Sequence, residues 1–208
     1  KHNLQPGIIS VLHTNGSDLK YHPHVHMIVS CGGIDSSGSI KELSDDYLCP
    51  QRKLANKFRN QFISGLQILI KKGSVKMKST SSSRWSKVIS RLLEKQWICN
   101  IDKPLIGVEK IVAYVGRYTK KSCLSERRIL SVSNGYVTIS YKDYKNSKRG
   151  GKPKEGKIRL SSREFLDRLM EHIPAKGFKV VRYYKLYAGV NRDKIPASLK
   201  LKELNIES

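Results

Sequence analysis

Tyr21-His22-Pro23-His24-Val25-His26 opens a stretch, Tyr21 to Cys31, whose reading decides that of the whole chain. Read as a β-strand, it puts His22, His24 and His26 on one face, because side chains alternate with a period of two. Val25 then points the opposite way, into a core. Pro23 disturbs ideal alternation at the start of the strand. Two imidazoles side by side on one face form half of a divalent-metal site, which a third side chain and substrate oxygens would complete. A His-x-His pair alone is not diagnostic: several metal-hydrolase folds use it on a strand, and a histidine-rich surface strand has the same spelling. The His-x-His-x-Asp-His pattern of one such group is absent.

Working outward, Ile8 to His13 is rich in Ile, Val and Leu and reads as a buried strand, joined to the histidine strand by the polar turn Thr14–Lys20. Gly32-Gly33 and the Ser/Gly/Asp-rich stretch to Gly38 end that strand. From Pro50 to Lys71, Leu54, Phe58, Phe62, Leu66 and Leu69 recur at helical spacing and read as a core-facing stripe. Gly73–Ser83 reads as a loop, Trp85–Lys95 as a second helix and Trp97–Asn100 as a short strand, with both tryptophans in the core. A third helix runs from about Val108 to Lys121. Arg128–Ser133 and Tyr136–Tyr141 flank Asn134-Gly135, the favoured two-residue hairpin turn. Lys145–Lys157 reads as a flexible basic loop. Ser161 with Glu164 forms a capping box that opens a helix to about His172, and a β-rich stretch follows at Phe178–Tyr187. Strands and helices are mixed and adjacent strands are joined by short turns, which predicts an α+β fold with a central, mainly antiparallel β-sheet flanked by helices.

The chain has 208 residues, with 40 Lys and Arg against 17 Asp and Glu, a net charge of +23. Such an excess attracts a polyanion, with nucleic acid the leading partner. A membrane is the weaker alternative, because no apolar run approaches the roughly 20 residues that span a bilayer and no lipidation signal is present. The first 20 residues lack the apolar stretch of a signal peptide. Cys31, Cys49, Cys99 and Cys123 form no CxxC pair and fit reduced cytosolic core thiols.

A second constellation is Ala113-Tyr114-Val115-Gly116-Arg117-Tyr118-Thr119-Lys120-Lys121. Tyr114 and Tyr118 are neighbours on one helical face. A tyrosine hydroxyl, with a reference pKa of about 10, becomes a competent nucleophile beside cations and a metal-polarised phosphate. The competing reading is an aromatic pair packed into a core.

Taken together, these pieces resemble the two-tyrosine HUH transposases of rolling-circle insertion sequences, members of the HUH endonuclease superfamily. Leu12-His13-Thr14 with Gly16, then His22-Pro23-His24-Val25-His26 and Gly32-Gly33, resemble that family's central block. Tyr114-Val115-Gly116-Arg117-Tyr118-Thr119, with Leu124-Ser125 and Arg128, resembles its tyrosine block, and Lys176-Gly177-Phe178 with Arg182-Tyr183-Tyr184 its C-terminal block. The resemblance covers roughly residues 8 to 190.

It implies an HUH-type nuclease domain over residues 1–190, followed by a tail at 191–208, and metal-dependent nicking and strand transfer of single-stranded DNA at transposon ends. His24 and His26 would hold Mg²⁺ or Mn²⁺, and Tyr114 or Tyr118 would attack the phosphate to leave a 5′-phosphotyrosine link. Asp18 is the first candidate for the third metal ligand, with His13 and His22 behind it. Arg117, Lys120, Lys121 and the loop Lys145–Lys157 would contact DNA phosphates, and Arg182, Tyr183, Tyr184 and Tyr187 would offer stacking platforms for bases. The implied setting is the bacterial cytoplasm, on the nucleoid. Full-length members carry an N-terminal cysteine-rich zinc module and an early strand upstream of Ile8, so the chain reads as truncated. Two rivals remain: a catalytically silent nucleic-acid-binding remnant, and a metal hydrolase using an activated water.

Overall fold

A computed structural model describes residues 3–43, 49–75, 82–119, 122–144 and 151–194. Among the described residues it is an α+β fold of four α-helices and three antiparallel sheets. Residues up to Leu43 and from Leu105 onward form one compact unit, and Ser44–Pro104 forms another.

The first unit is built on β1 (Gly7–Asn15), β2 (Tyr21–Val29) and β8 (Val181–Lys185), in the order β2-β1-β8. Ile9 and Val11 of β1 lie opposite Ile28 and His26 on β2 and Tyr183 and Val181 on β8, so these side chains share one face. A small hairpin, β3 (Gly32–Ile34) with β4 (Ile40–Glu42), forms where the sequence read only the end of a strand. It is tied to the chain entering β1 by paired bonds between Gln5 and Ile34, N to O at 2.8 and 3.1 Å. Gly33 lets that happen, because a Cβ there would collide with the Gln5 carbonyl.

The second sheet of this unit is β5 (Ile129–Ser133), β6 (Tyr136–Asp143) and β7 (Lys154–Ser161). Asn134 and Gly135 at its first turn both have positive φ, 51° and 75°, the backbone a two-residue hairpin requires. β7 pairs with β6 along its whole length, Tyr136 opposite Ser161 and Asp143 opposite Lys154. The expected flexible loop Lys145–Lys157 is thus strand from Lys154 onward; residues 145–150 lie outside the described residues. The Lys and Gly content of this stretch hid its alternation, in which Ile158 and Leu160 face the core and Lys157 and Arg159 face out.

Ser161 then caps α4 (Ser162–Met170), its Oγ accepting from Glu164 N at 3.1 Å. The reciprocal half of the capping box is not the contact that forms. Glu164 Oε1 instead accepts from Arg168 Nη2 at 2.7 Å.

The core of this half is a cluster of Leu19, Val137 and Ile139, packed round by Leu124, Ile129, Ile158 and Phe165. Leu19 belongs to the β1–β2 turn yet is fully buried (0%), and it adopts φ 61°. That left-handed conformation is unfavourable for a Leu, so the surrounding contacts must over-determine it. α3 (Val108–Thr119) completes the unit.

The second unit contains α1 (Gln51–Lys71) and α2 (Ser82–Glu94). Phe58 and Phe62 pack with Trp97, ring centroids 5.5 and 5.3 Å apart, and Trp97 Nε1 donates to Leu92 O at 3.1 Å. Only Ala55 and Ile63 of α1 are buried, and Phe58 remains 51% exposed, so the expected core stripe is a half-open aromatic cluster. Trp85 and Trp97 are likewise half-buried rather than core. Trp97–Asn100 is irregular chain, not the short strand expected: its indole is turned back onto α2.

Candidate metal centre and active site

The β1–β2 register sets the site. His13 lies opposite His24, and Val11 lies opposite His26. His13, His24 and His26 therefore converge on one face of the sheet, half-buried, with ligand atoms that all lie within 4.8 Å of one another. Ring centroids are 5.4 Å apart for His13–His24, 4.8 Å for His13–His26 and 5.0 Å for His24–His26.

Two imidazole nitrogens bound to one ion at about 2.1 Å can be no more than about 4.2 Å apart. The trio is within a small ring rotation of that limit, so its geometry fits a divalent cation.

His24 Nδ1–H donates to the His22 carbonyl at 2.8 Å, which leaves Nε2 with its lone pair for a metal. Burial lowers the His24 pKa below its ordinary value. The bond to the His22 carbonyl opposes that shift, and the charges of His13 and His22 reinforce it. The ring is therefore neutral near pH 7, the form that binds metal.

Of the candidate third ligands, the structure brings His13 to the pair. Asp18 is engaged in the turn, accepting from Lys20 N at 3.3 Å and pairing with Lys20 Nζ at 3.5 Å. His22 lies beside His24, centroids 5.4 Å apart with the rings tilted at 41°, and is exposed outside the trio. Val25 alternates away from the histidines as expected, but it is 44% exposed rather than core, and Met27 beside it is exposed too.

Tyr114 comes to the histidine face. It and Val115 of α3 line a water-sized cavity of about 10 Å³ together with Ile9, Val11, His26 and Ile28. Tyr118 lies one turn further along the same helix. The side chains of Arg117 and Tyr118, and the whole of Lys120 and Lys121, lie outside the described residues. On β8, Arg182 sits 5.8 Å from the Phe178 ring, and Tyr183 and Tyr184 are exposed along a groove of about 600 Å³. Tyr187 has a packing role: its ring covers Gly7, where a Cβ would collide with it.

Sequence reasoning missed the residues that hold the turn between the two histidine strands. Three successive carbonyls there accept from three side chains: Ser17 O from Arg128 Nη2, Asp18 O from Arg168 Nη1 at 3.0 Å, and Leu19 O from His172 Nε2 at 2.9 Å. His172 Nδ1 also meets Thr14 Oγ1 at 3.1 Å. These partners are more than 100 residues from the turn in sequence, and no local pattern announces them.

Among the described residues, no helix is long and apolar enough to cross a membrane. A family described as "Putative transposase", the Y2 transposases, matches residues 7–194. The chain is 29% identical over 184 residues to "Putative transposase y4qJ" of Sinorhizobium fredii (strain NBRC 101917 / NGR234), covering 86% of this chain and 45% of that protein. It is also 29% identical over 189 residues to the transposase for insertion sequence element IS801 of Pseudomonas savastanoi pv. phaseolicola, covering 90% of this chain and 45% of that protein. The chain thus spans about half the length of these relatives. No solved structure matches it significantly. With the match running through both histidine strands, the tyrosine helix and β8, the chain belongs to the Y2 transposase family.

Proposed function

We propose that this chain cuts and rejoins single-stranded DNA at transposon ends in rolling-circle transposition, through a 5′-phosphotyrosine intermediate. The observation that carries the reading is the convergence of His13, His24 and His26 on the sheet face against which Tyr114 packs. Kinship with the IS801 transposase supports the same direction.

His13, His24 and His26 would hold the ion. A bound divalent cation polarises the scissile phosphate and stabilises the charge that develops on it. An all-imidazole donor set suits a transition-metal ion better than Mg²⁺, which prefers oxygen ligands, so Mn²⁺ is the better fit of the two. Tyr114 and Tyr118 supply the nucleophiles. The tyrosine Oη gives up its proton and attacks phosphorus, the P–O3′ bond breaks, and the departing 3′ oxygen takes a proton. The 5′-phosphate stays esterified to the tyrosine until another 3′-OH attacks it and restores the phenol. The bond energy is conserved, so no nucleotide cofactor is required. Arg117, Lys120 and Lys121 neutralise phosphates, and Arg182, Tyr183 and Tyr184 stack on unpaired bases.

The test is a denaturing gel of the protein with labelled single-stranded DNA carrying the element's ends and Mn²⁺. The expected result is a covalent adduct that is absent without metal, lost in His13→Ala and His24→Ala, and lost or halved in Tyr114→Phe and Tyr118→Phe. Cleavage without adduct in any variant would replace this reading with a hydrolase that uses activated water. Binding without cleavage would leave a nucleic-acid-binding remnant.

A further inference from the structure

We infer that His172 is a positioning residue for the histidine metal site, acting through the irregularity in the β1–β2 pairing. The inference rests on the proposed metal-binding role of His13, His24 and His26. The register runs evenly from Ile8–Val29 to His13–His24 and then slips, so that the next pair is Asn15–Tyr21. Thr14 therefore faces two residues, His22 and Pro23. Pro23 has no N–H to give a ladder, which suits it to a bulge. Bulges beside active sites re-aim side chains, and this one adjoins the His13–His24 pair.

His172 touches three points around it. Its Nδ1 meets Thr14 Oγ1 at 3.1 Å, its Nε2 meets Leu19 O at 2.9 Å, and its ring stacks parallel to Tyr21 with centroids 6.4 Å apart. Thr14 is the neighbour of His13 on β1, and Tyr21 opens β2 ahead of His22. A carbonyl only accepts, so Nε2 carries the proton, and in the neutral ring Nδ1 accepts from the Thr14 hydroxyl. One imidazole thus spans both strands of the bulge and the turn that joins them. Arg128 and Arg168 bind the same turn, at Ser17 O and Asp18 O, without reaching Thr14. That difference separates positioning of the metal ligands from mere support of the turn.

The experiment measures Mn²⁺ affinity by calorimetry, alone and with a saturating single-stranded oligonucleotide, and thermal stability in parallel, for metal-free wild type, His172→Ala, His172→Gln, Thr14→Val and Arg168→Ala. His172→Ala is expected to weaken Mn²⁺ binding by about tenfold or more, the low end of what losing an outer support of a metal site costs. Gln, which also offers a donor and an acceptor, restores most of it. Thr14→Val keeps the side-chain shape, removes the hydroxyl and shifts affinity in the same direction, so the test stands even if His172→Ala folds poorly. Arg168→Ala lowers the melting temperature and leaves Mn²⁺ affinity within about threefold of wild type.

Unchanged affinity in Thr14→Val and in folded His172→Ala would overturn the inference. So would an equal loss in Arg168→Ala, because turn stability alone would then explain it. Failure of the wild type to bind Mn²⁺ both alone and with the oligonucleotide would instead overturn the metal reading itself, and this inference with it. In the metal-free protein, the ¹⁵N spectrum of His172 should show the Nε2–H tautomer; the Nδ1–H form would contradict the geometry.

Discussion

Leu19→Ala and Leu19→Gly, compared directly, test whether the β1–β2 turn is anchored as described. Leu19 is fully buried against Val137 and Ile139 while its backbone adopts φ 61°. Truncating a fully buried Leu to Ala costs about 2.7–5 kcal/mol, the spread depending on how far the site collapses. Here the neighbours belong to a paired β-sheet, and about 3 kcal/mol is the expected loss. Replacing Ala by Gly ordinarily costs a further 0.5–1 kcal/mol or so, through chain entropy and the lost methyl. At this position glycine also releases roughly 1–2 kcal/mol of left-handed strain. The two variants should therefore be equally stable within about 1 kcal/mol, with glycine the better if either is. Urea titration followed by far-UV circular dichroism gives the stability. Amide exchange at Val137 and Ile139 reports on this core, with protection falling about a hundredfold at 3 kcal/mol. Tryptophan fluorescence is unsuitable, because Trp85 and Trp97 both lie in Ser44–Pro104. A loss below about 1 kcal/mol for Leu19→Ala, or a glycine variant more than about 1 kcal/mol below alanine, would refute the buried, strained anchor.

Ser161→Ala removes the bond from Glu164 N at the start of α4 and should cost about 1 kcal/mol in urea titration. Because the folded-state pKa of His24 lies below its ordinary value, the folded protein binds fewer protons there than the unfolded chain does. The stability tied to that group is thus present above about pH 6.5 and lost as pH falls through the folded value. Melting temperatures of the metal-free protein at pH 7.5 and 5 should show a decrease on acidification that is smaller in His24→Gln. Covalent adduct should form faster with Mn²⁺ than with Mg²⁺ at equal concentration, as the imidazole donor set requires; equal rates would argue for an oxygen-rich site. Mn²⁺ should bind more tightly when a single-stranded oligonucleotide saturates the protein than when DNA is absent, a difference calorimetry resolves.

The histidine strand was legible because Tyr21–Val29 alternates, and α3, the 129–143 hairpin and the Ser161 cap were legible because helical period, Asn-Gly and Ser-x-x-Glu are local signals. What failed was nonlocal. His13 could not be ranked above Asp18 as a ligand, because which residue of β1 faces His24 depends on the slip at Thr14, and register is a property of two strands. Asp18 is closer to the motif in sequence and carries the expected carboxylate, yet its carboxylate is spent on Lys20. The first half of β7 reads as loop because Lys154, Glu155 and Lys157 mask a strand whose partner, β6, decides its conformation. Val25 reads as core from its hydrophobicity alone, whereas alternation fixes only its side of the sheet and not what lies over that side. The His172, Arg128 and Arg168 contacts to the turn carry no local pattern whatever.

The same positive charge that points to DNA also acts on the candidate metal site. With 40 basic and 17 acidic residues, the chain's net positive charge disfavours adding a metal cation to three half-buried imidazoles. For a divalent ion it is a handicap, and no carboxylate stands among the three ligands to offset it. On the proposed function, a DNA strand laid across the sheet face would reverse the balance: its phosphates would offset the positive charge and offer oxygens to the ion. Metal and DNA would then each strengthen the other's binding by the same factor, as linkage demands. A trio of histidines without a carboxylate would thus suit a site that acquires its full affinity for metal only when the phosphate proposed to be cut is already in place.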